Sequence, residues 1–173
     1  MSGKIVGIVI MISALIAGGA LYYLQVYGFY EEVSADRQEV HLVPVTGGNP
    51  LRILAENITA IDSESSPIRY RACFTTPSSL AMLSETYQGV DRAVPRNGPE
   101  WFDCFDAEAI AQELDAGTAL AFQGQKNVHF GVDRIVAISE SGQGFIWHEL
   151  NDCGEKAYDG TIVGEECPKR DKN

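Results

Sequence analysis

Residues 5–24, IVGIVIMISALIAGGALYYL, contain no charged side chain. A helix of that length is about 30 Å long at roughly 1.5 Å per residue, which matches the hydrocarbon thickness of a bilayer. A soluble domain of this size does not bury a wholly apolar helix of that length at its extreme N-terminus. The segment therefore predicts a membrane anchor. Its far end carries Tyr22, Tyr23, Tyr27, Phe29 and Tyr30, amphipathic rings suited to the headgroup level. Lys4 precedes the span and Glu31 and Glu32 follow it, so the positive-inside bias places the N-terminus in the cytoplasm and the rest outside. A cleaved signal peptide is the alternative, because Gly18-Gly19-Ala20 offers small residues before a cut at Leu21. The weakly basic start and the aromatic belt beyond the cut favour a retained anchor.

Charge separates the chain in the same way. Residues 1–30 hold one basic residue, Lys4, and no acid, while the other 143 carry 12 basic and 24 acidic residues. An acidic domain of net −12 lacks the Lys and Arg that displace counterions from nucleic acid, and lacks a basic patch for anionic lipid. Three domains of sequence follow: 1–30 as cytoplasmic N-terminus and transmembrane anchor, 31–167 as a folded domain, and 168–173 as a flexible tail.

At 100° per residue, Gly3, Gly7, Ala14 and Gly18 project onto one narrow stripe of the anchor, with Gln25 on the same side. Small residues let a second helix approach closely and a terminal Gln can bond across the contact. Gly7, Ala14, Gly18 and Gln25 are thus candidates for contact with a membrane-protein partner or for self-association. Glycine and alanine are common in membrane helices without such a role.

All four cysteines, Cys73, Cys104, Cys153 and Cys167, follow the anchor. In an oxidising compartment an even count reads first as two disulfides. Of the three possible connectivities, Cys73–Cys104 and Cys153–Cys167 are favoured because each closes a local loop. No CxxC or Cys-x-x-His spacing points to zinc, a redox dithiol or haem.

The remaining pattern is mixed. Residues 40–45 and 51–62 predict strands either side of the Gly47-Gly48-Asn49-Pro50 turn. Ile68, Tyr70, Ala72 and Phe74 alternate with Arg69, Arg71 and Cys73, the signature of a half-buried strand. Thr76 with Pro77 predicts a helix start, with Leu80, Leu83 and Tyr87 at helical spacing and Gly89 as the stop. A second helix runs from Asp106 to Gly117. Strands follow at 119–122, 128–138 and 145–150, the last two joined by a Ser141-Gly142 turn that puts Arg134 opposite Glu149, Val136 opposite Trp147, Ile138 opposite Phe145 and Ile135 opposite His148. The expected class is α+β: a mostly antiparallel sheet with two short helices, plus the transmembrane helix.

The segments MSGKIVGIVI…LYYLQVYGFYE, IRYRACFTTPSSLAMLSETY, WFDCFDAEAI and HFGVDRIVAI…GFIWHELNDCGE resemble an uncharacterised alphaproteobacterial family of the Rhodobacter–Roseobacter group, a domain of unknown function whose members are sometimes labelled histidine kinases. The resemblance implies a bacterial inner-membrane protein with a periplasmic domain and carries no activity. A kinase core does not fit in 143 residues, no glycine-rich nucleotide loop is present, and the expected helices hold no histidine.

Candidate chemistry is sparse. His41, His129 and His148 are not spaced as a metal pair, and each reads as structural unless two of them cluster beside a carboxylate. Arg69 and Arg71 are the weak candidates for holding a carboxylate or phosphate, with pairing to internal acids the blander expectation. Trp101, Phe102 and Phe105 around Cys104 offer either an exposed aromatic contact or core packed on a disulfide. No catalytic or cofactor motif is found, and no cofactor is expected. The residues thus point to a membrane-anchored periplasmic accessory or interaction protein, with a ligand-binding or sensory domain as the alternative and an enzyme of unfamiliar design as the least favoured.

Overall fold

In the computed structural model, which describes residues 2–34 and 38–169, helix α1 spans Gly3–Tyr23 and widens into a π-helical turn at Leu24–Gly28. The whole segment Gly3–Gly28 is long and apolar enough to cross a membrane, with a mean hydropathy of 2.4 and no part of it buried. Beyond it come strands β1 (Glu31–Glu32), β2 (His41–Leu42), β3 (Leu51–Arg52), β4 (Glu56–Asp62) and β5 (Arg71–Thr75). Helices α2 (Leu80–Thr86) and α3 (Ala107–Ala116) precede the long strands β6 (Ala119–His129), β7 (Val132–Ser139) and β8 (Gln143–Leu150). The main sheet has six strands in the order β1-β4-β5-β8-β7-β6, every neighbour antiparallel, and β2 pairs with β3 separately. The α+β class follows directly. Of the tail expected at 168–173, residues 170–173 lie outside the described residues.

Both faces of this sheet are covered. On one face Ala60, Tyr70, Ala72, Phe74, Phe122, Val136, Ile138 and Ile146 pack against Val40, Leu42, Ile53 and Leu83 from the β2–β3 hairpin and α2. On the other, Cys73, Ala121, Ile135, Ala137, Phe145 and Trp147 pack against Phe105, Ala107 and Ile110. Strand β5 is therefore buried on both sides rather than half-buried, and Arg71 is only 3% exposed. Phe74 lies directly across from Gly144. A Cβ there would come within 2.1 Å of the Phe74 ring, so the absence of a side chain is what admits the aromatic.

Local signals set α3: Asp106 accepts from the amides of Glu108 and Ala109, and Gly117 closes the helix at φ 73°. Three expectations are corrected. Helix α2 is capped by Ser79, whose hydroxyl accepts from Met82 N–H, while the Thr76 hydroxyl accepts from Ser78 N–H at 3.2 Å and donates to Leu54 O at 2.7 Å, closing a turn ahead of the helix. The strand expected over 128–138 is broken at Phe130-Gly131, where Gly131 takes φ 74°. Most consequential is the β7–β8 turn. Gly142 N–H donates to Ser139 O at 3.0 Å and Gly142 adopts φ 82°, so the register is one residue away from that of a two-residue loop. Arg134 pairs with His148, Asp133 with Glu149, Val136 with Ile146 and Ile135 with Trp147. A one-residue slip reverses which side chains share a face.

Candidate functional site

The observed register builds a polar rung across the sheet. Glu31 pairs with Asp62, and Arg134 with His148. Tyr70 sits between them, one step beyond the Ile61–Arg71–Trp147 rung. This row continues the face that carries Ala60, Ala72, Ile146 and Val136, beyond the reach of the hairpin and α2. It floors a cleft of about 630 Å³ lined by Glu31, Glu32, Asp62, Tyr70, His129 and Arg134, among others.

His148 is held neutral. It is 2% exposed, and burial, followed by the Arg134 charge, pushes its pKa down to about 3. Its Nδ1–H donates to Pro67 O at 2.7 Å, which leaves Nε2 to accept from Arg134 Nε–H at 3.0 Å. Both of these bonded groups rest against the Tyr70 ring. His148 stacks on it at 4.8 Å and the Arg134 guanidinium carbon lies 4.7 Å from its centroid. Burial raises the Tyr70 pKa, partly opposed by Arg134. His129 and His148 do cluster, at 6.3 Å between rings, yet the described residues contain no group of three or more His, Cys, Asp or Glu able to hold a metal ion.

Arg69 and Arg71 do not meet in a binding pocket. Arg71 reaches no carboxylate: its guanidinium donates to the carbonyls of Ile68, Tyr70, Arg96 and Asn97 at 2.6–2.9 Å, with its carbon 5.5 Å from the Phe105 ring. Burial lowers its pKa to about 10, so it remains a cation that pins the 96–97 loop to the sheet. Arg69 donates to Ser65 Oγ at 3.2 Å and lies 5.7 Å over Tyr30. Among the described residues that line the cleft the cation is Arg134, which no motif distinguishes. Glu149, expected to pair with it, faces the other way. It accepts from Trp147 Nε1 at 3.1 Å and from Val94 N–H at 3.4 Å, and burial raises its pKa.

A second assembly joins the head to the helix. Trp101 Nε1 donates to Val26 O at 2.7 Å, and its ring stacks on Tyr27 at 6.3 Å and meets Tyr30 edge-on at 5.9 Å. The aromatic cluster around Cys104 thus divides its work: Trp101 holds the helix end, while Phe105 packs in the core against Phe145 and Trp147. Cys104 is bonded to Cys73, and Cys153 to Cys167. Gly7 and Gly18 have open space beside them, and Ala14 is exposed. Gln25 borders a crevice against Asn97, Gly98, Pro99 and Glu100 of the same chain.

Fold and site together define an α+β domain with two disulfides and one polar cleft, set directly behind a helix able to span a membrane. The chain belongs to a family of unknown function, DUF6446, which matches residues 40–168. The match takes in all four cysteines and Asp62, Tyr70, Arg134 and His148, and begins after the helix. Neither the curated proteins nor the solved structures contain a match to the chain.

Proposed function

We propose that the chain is a membrane-anchored periplasmic accessory protein of a bacterial inner membrane, its N-terminus cytoplasmic and its acidic head set at a fixed attitude beside a membrane-protein partner. The observation that carries this reading is the Trp101–Val26 hydrogen bond, with Tyr27 and Tyr30 packed around the indole. A flexible tether would leave the head to wander, whereas this clasp makes the direction of the helix and the direction of the head one property. The two disulfides fit an oxidising compartment, and the Gly7, Ala14 and Gly18 stripe suits contact with another helix. Extraction of native membranes in mild detergent, with crosslinking and mass spectrometry, should return a stoichiometric partner, and Gly7→Leu with Gly18→Leu should lose it. A chain that comes out alone and monomeric would rule the reading out.

The cleft beneath Arg134 favours a second reading, a ligand-binding or sensory domain. The clasp would then carry ligand occupancy to the helix.

A further inference from the structure

We propose that the cleft is a binding site for a small zwitterion, an ammonium joined by a short link to a phosphate, with the anion on Arg134 and the ammonium on Glu31, Glu32 and Asp62. The inference rests on the ligand-binding reading and is independent of the accessory one.

The cleft is lined by both signs of charge, with Arg134, Asp62 and Glu31 on one face of the sheet and Glu32, next along the edge strand, at its rim. Arg134 is held in place, because its Nε–H is committed to His148 and its guanidinium carbon lies 4.7 Å from the Tyr70 ring centroid. Among the described residues, the terminal amino groups of that guanidinium have no hydrogen-bond acceptor and no carboxylate within 4 Å. A cation fixed in this way offers two parallel donors to a phosphate. Asp62 lies on β4, next to the strand β5 that Tyr70 immediately precedes, with Glu31 opposite it on β1. Neighbouring strands are about 4.8 Å apart, so the acidic side of the cleft begins one strand away from the ring that supports the guanidinium. That spacing suits a phosphate and an ammonium separated by two carbons.

The mixture of charges also excludes simpler ligands. A bare anion attracted to Arg134 meets the carboxylates of Glu31, Glu32, Asp62 and Glu64 around the same space. A bare cation attracted to those carboxylates meets Arg134. A zwitterion satisfies both, which is how paired attraction and repulsion produce selectivity. The volume, about 630 Å³, lies in the range of small-ligand sites. Two sources supply this chemistry: a soluble aminoalkyl phosphate, or the headgroup of an ethanolamine lipid. Glu31 follows the last residue of the π-helical turn, Gly28, by three positions, so a headgroup is within reach.

The test uses the full chain in phosphatidylglycerol nanodiscs, titrated calorimetrically with phosphoethanolamine. Phosphoethanolamine should bind at least about tenfold more tightly than inorganic phosphate or ethanolamine alone. Arg134→Gln should cost about tenfold or more in that affinity. The paired substitution Glu31→Gln and Glu32→Gln, at exposed positions on the edge strand, should erase the preference for phosphoethanolamine over inorganic phosphate and so decides the matter even if the Arg134 variant does not fold. Phosphatidylethanolamine added to the nanodiscs should suppress the titration if the lipid is the occupant and leave it unchanged if the source is soluble. Equal affinity for phosphoethanolamine and its two halves, or a preference untouched by the Glu31/Glu32 substitutions, would overturn the proposal. Co-purification of a membrane partner is unaffected by either result, so failure here leaves the accessory reading standing.

Discussion

Trp101 donates its indole N–H to the carbonyl of Val26, 75 positions earlier in the chain, and this bond ties the end of the apolar helix to the head. Val26 lies in the last turn of the helix, Leu24–Gly28, where carbonyls lack intrahelical partners and an external donor can take them. Trp101→Ala should leave the urea midpoint of the head nearly unchanged. It should speed amide hydrogen exchange at residues 26–30 by about tenfold, as expected for the local loss of one hydrogen bond and one aromatic contact. Trp101→Phe, which keeps a ring, should fall between. Equal exchange in all three proteins would show that the clasp carries no weight.

Arg71 is a structural cation. Its guanidinium satisfies four carbonyls from two segments, and removing it leaves buried acceptors bare. Arg71→Met should destabilise the full chain by about 3 kcal/mol or more, since each unsatisfied buried group costs roughly 1–3 kcal/mol. Arg71→Lys should not restore stability, because one ammonium on a flexible stem does not match a rigid five-donor fork. Denaturant unfolding in detergent reads both, and a wild-type midpoint for Arg71→Met would contradict the assignment.

His148 makes stability depend on pH. Its folded pKa of about 3 lies below the unfolded value of about 6.5. The neutral ring's contribution is therefore complete above about pH 6.5 and is lost as pH falls towards 3, by up to about 1.4 kcal/mol per pH unit. Burial is the main cause, followed by the Arg134 charge; a protonated Nε2 also can no longer accept from Arg134. His148→Gln should be less stable than wild type at neutral pH and should show a flatter stability profile between pH 6 and 4, measured by denaturant melts across that range. A profile as steep as wild type would assign the acid sensitivity elsewhere.

The two disulfides should differ in kind. Cys73 is a core residue on β5, and its bond to Cys104 anchors the segment that carries Trp101. Cys73→Ala with Cys104→Ala should lower global stability by about 3–4 kcal/mol, as the chain-entropy account gives for a loop of about 31 residues. Cys153 and Cys167 close a loop of largely exposed residues beyond the last strand. Cys153→Ala with Cys167→Ala should raise hydrogen exchange there while shifting the head's unfolding by less than about 1 kcal/mol.

Features that rest on neighbours a few residues apart were legible in the sequence. The uncharged run determines α1, and Asp106 with Gly117 bounds α3, because a cap and a left-handed stop act within one turn. Local loop closure also points to the cysteine pairing found. The same locality explains the misplaced start of α2. Thr76 has the chemistry of a cap and accepts from Ser78 N–H, but its hydroxyl is also tied to a distant carbonyl, Leu54 O, and the helix starts three residues later at Ser79. Arg71 likewise reads as a surface cation on an alternating strand until two layers close over it.

What the sequence alone determined is thus the division into an apolar helix and an acidic, disulfide-capable α+β head, since composition and short-range periodicity specify those. Only the tertiary structure decided the register of β7 against β8, and with it the cleft. Gly142 in the left-handed region lengthens the turn by one residue, and with a period of two that moves His148 to the face of Arg134 and Glu149 to the opposite one. Asp62, Arg134 and His148 come from three strands, and Tyr70 immediately precedes a fourth, scattered over 86 positions. They meet because antiparallel pairing fixes their order, a constraint that no spacing along the chain records.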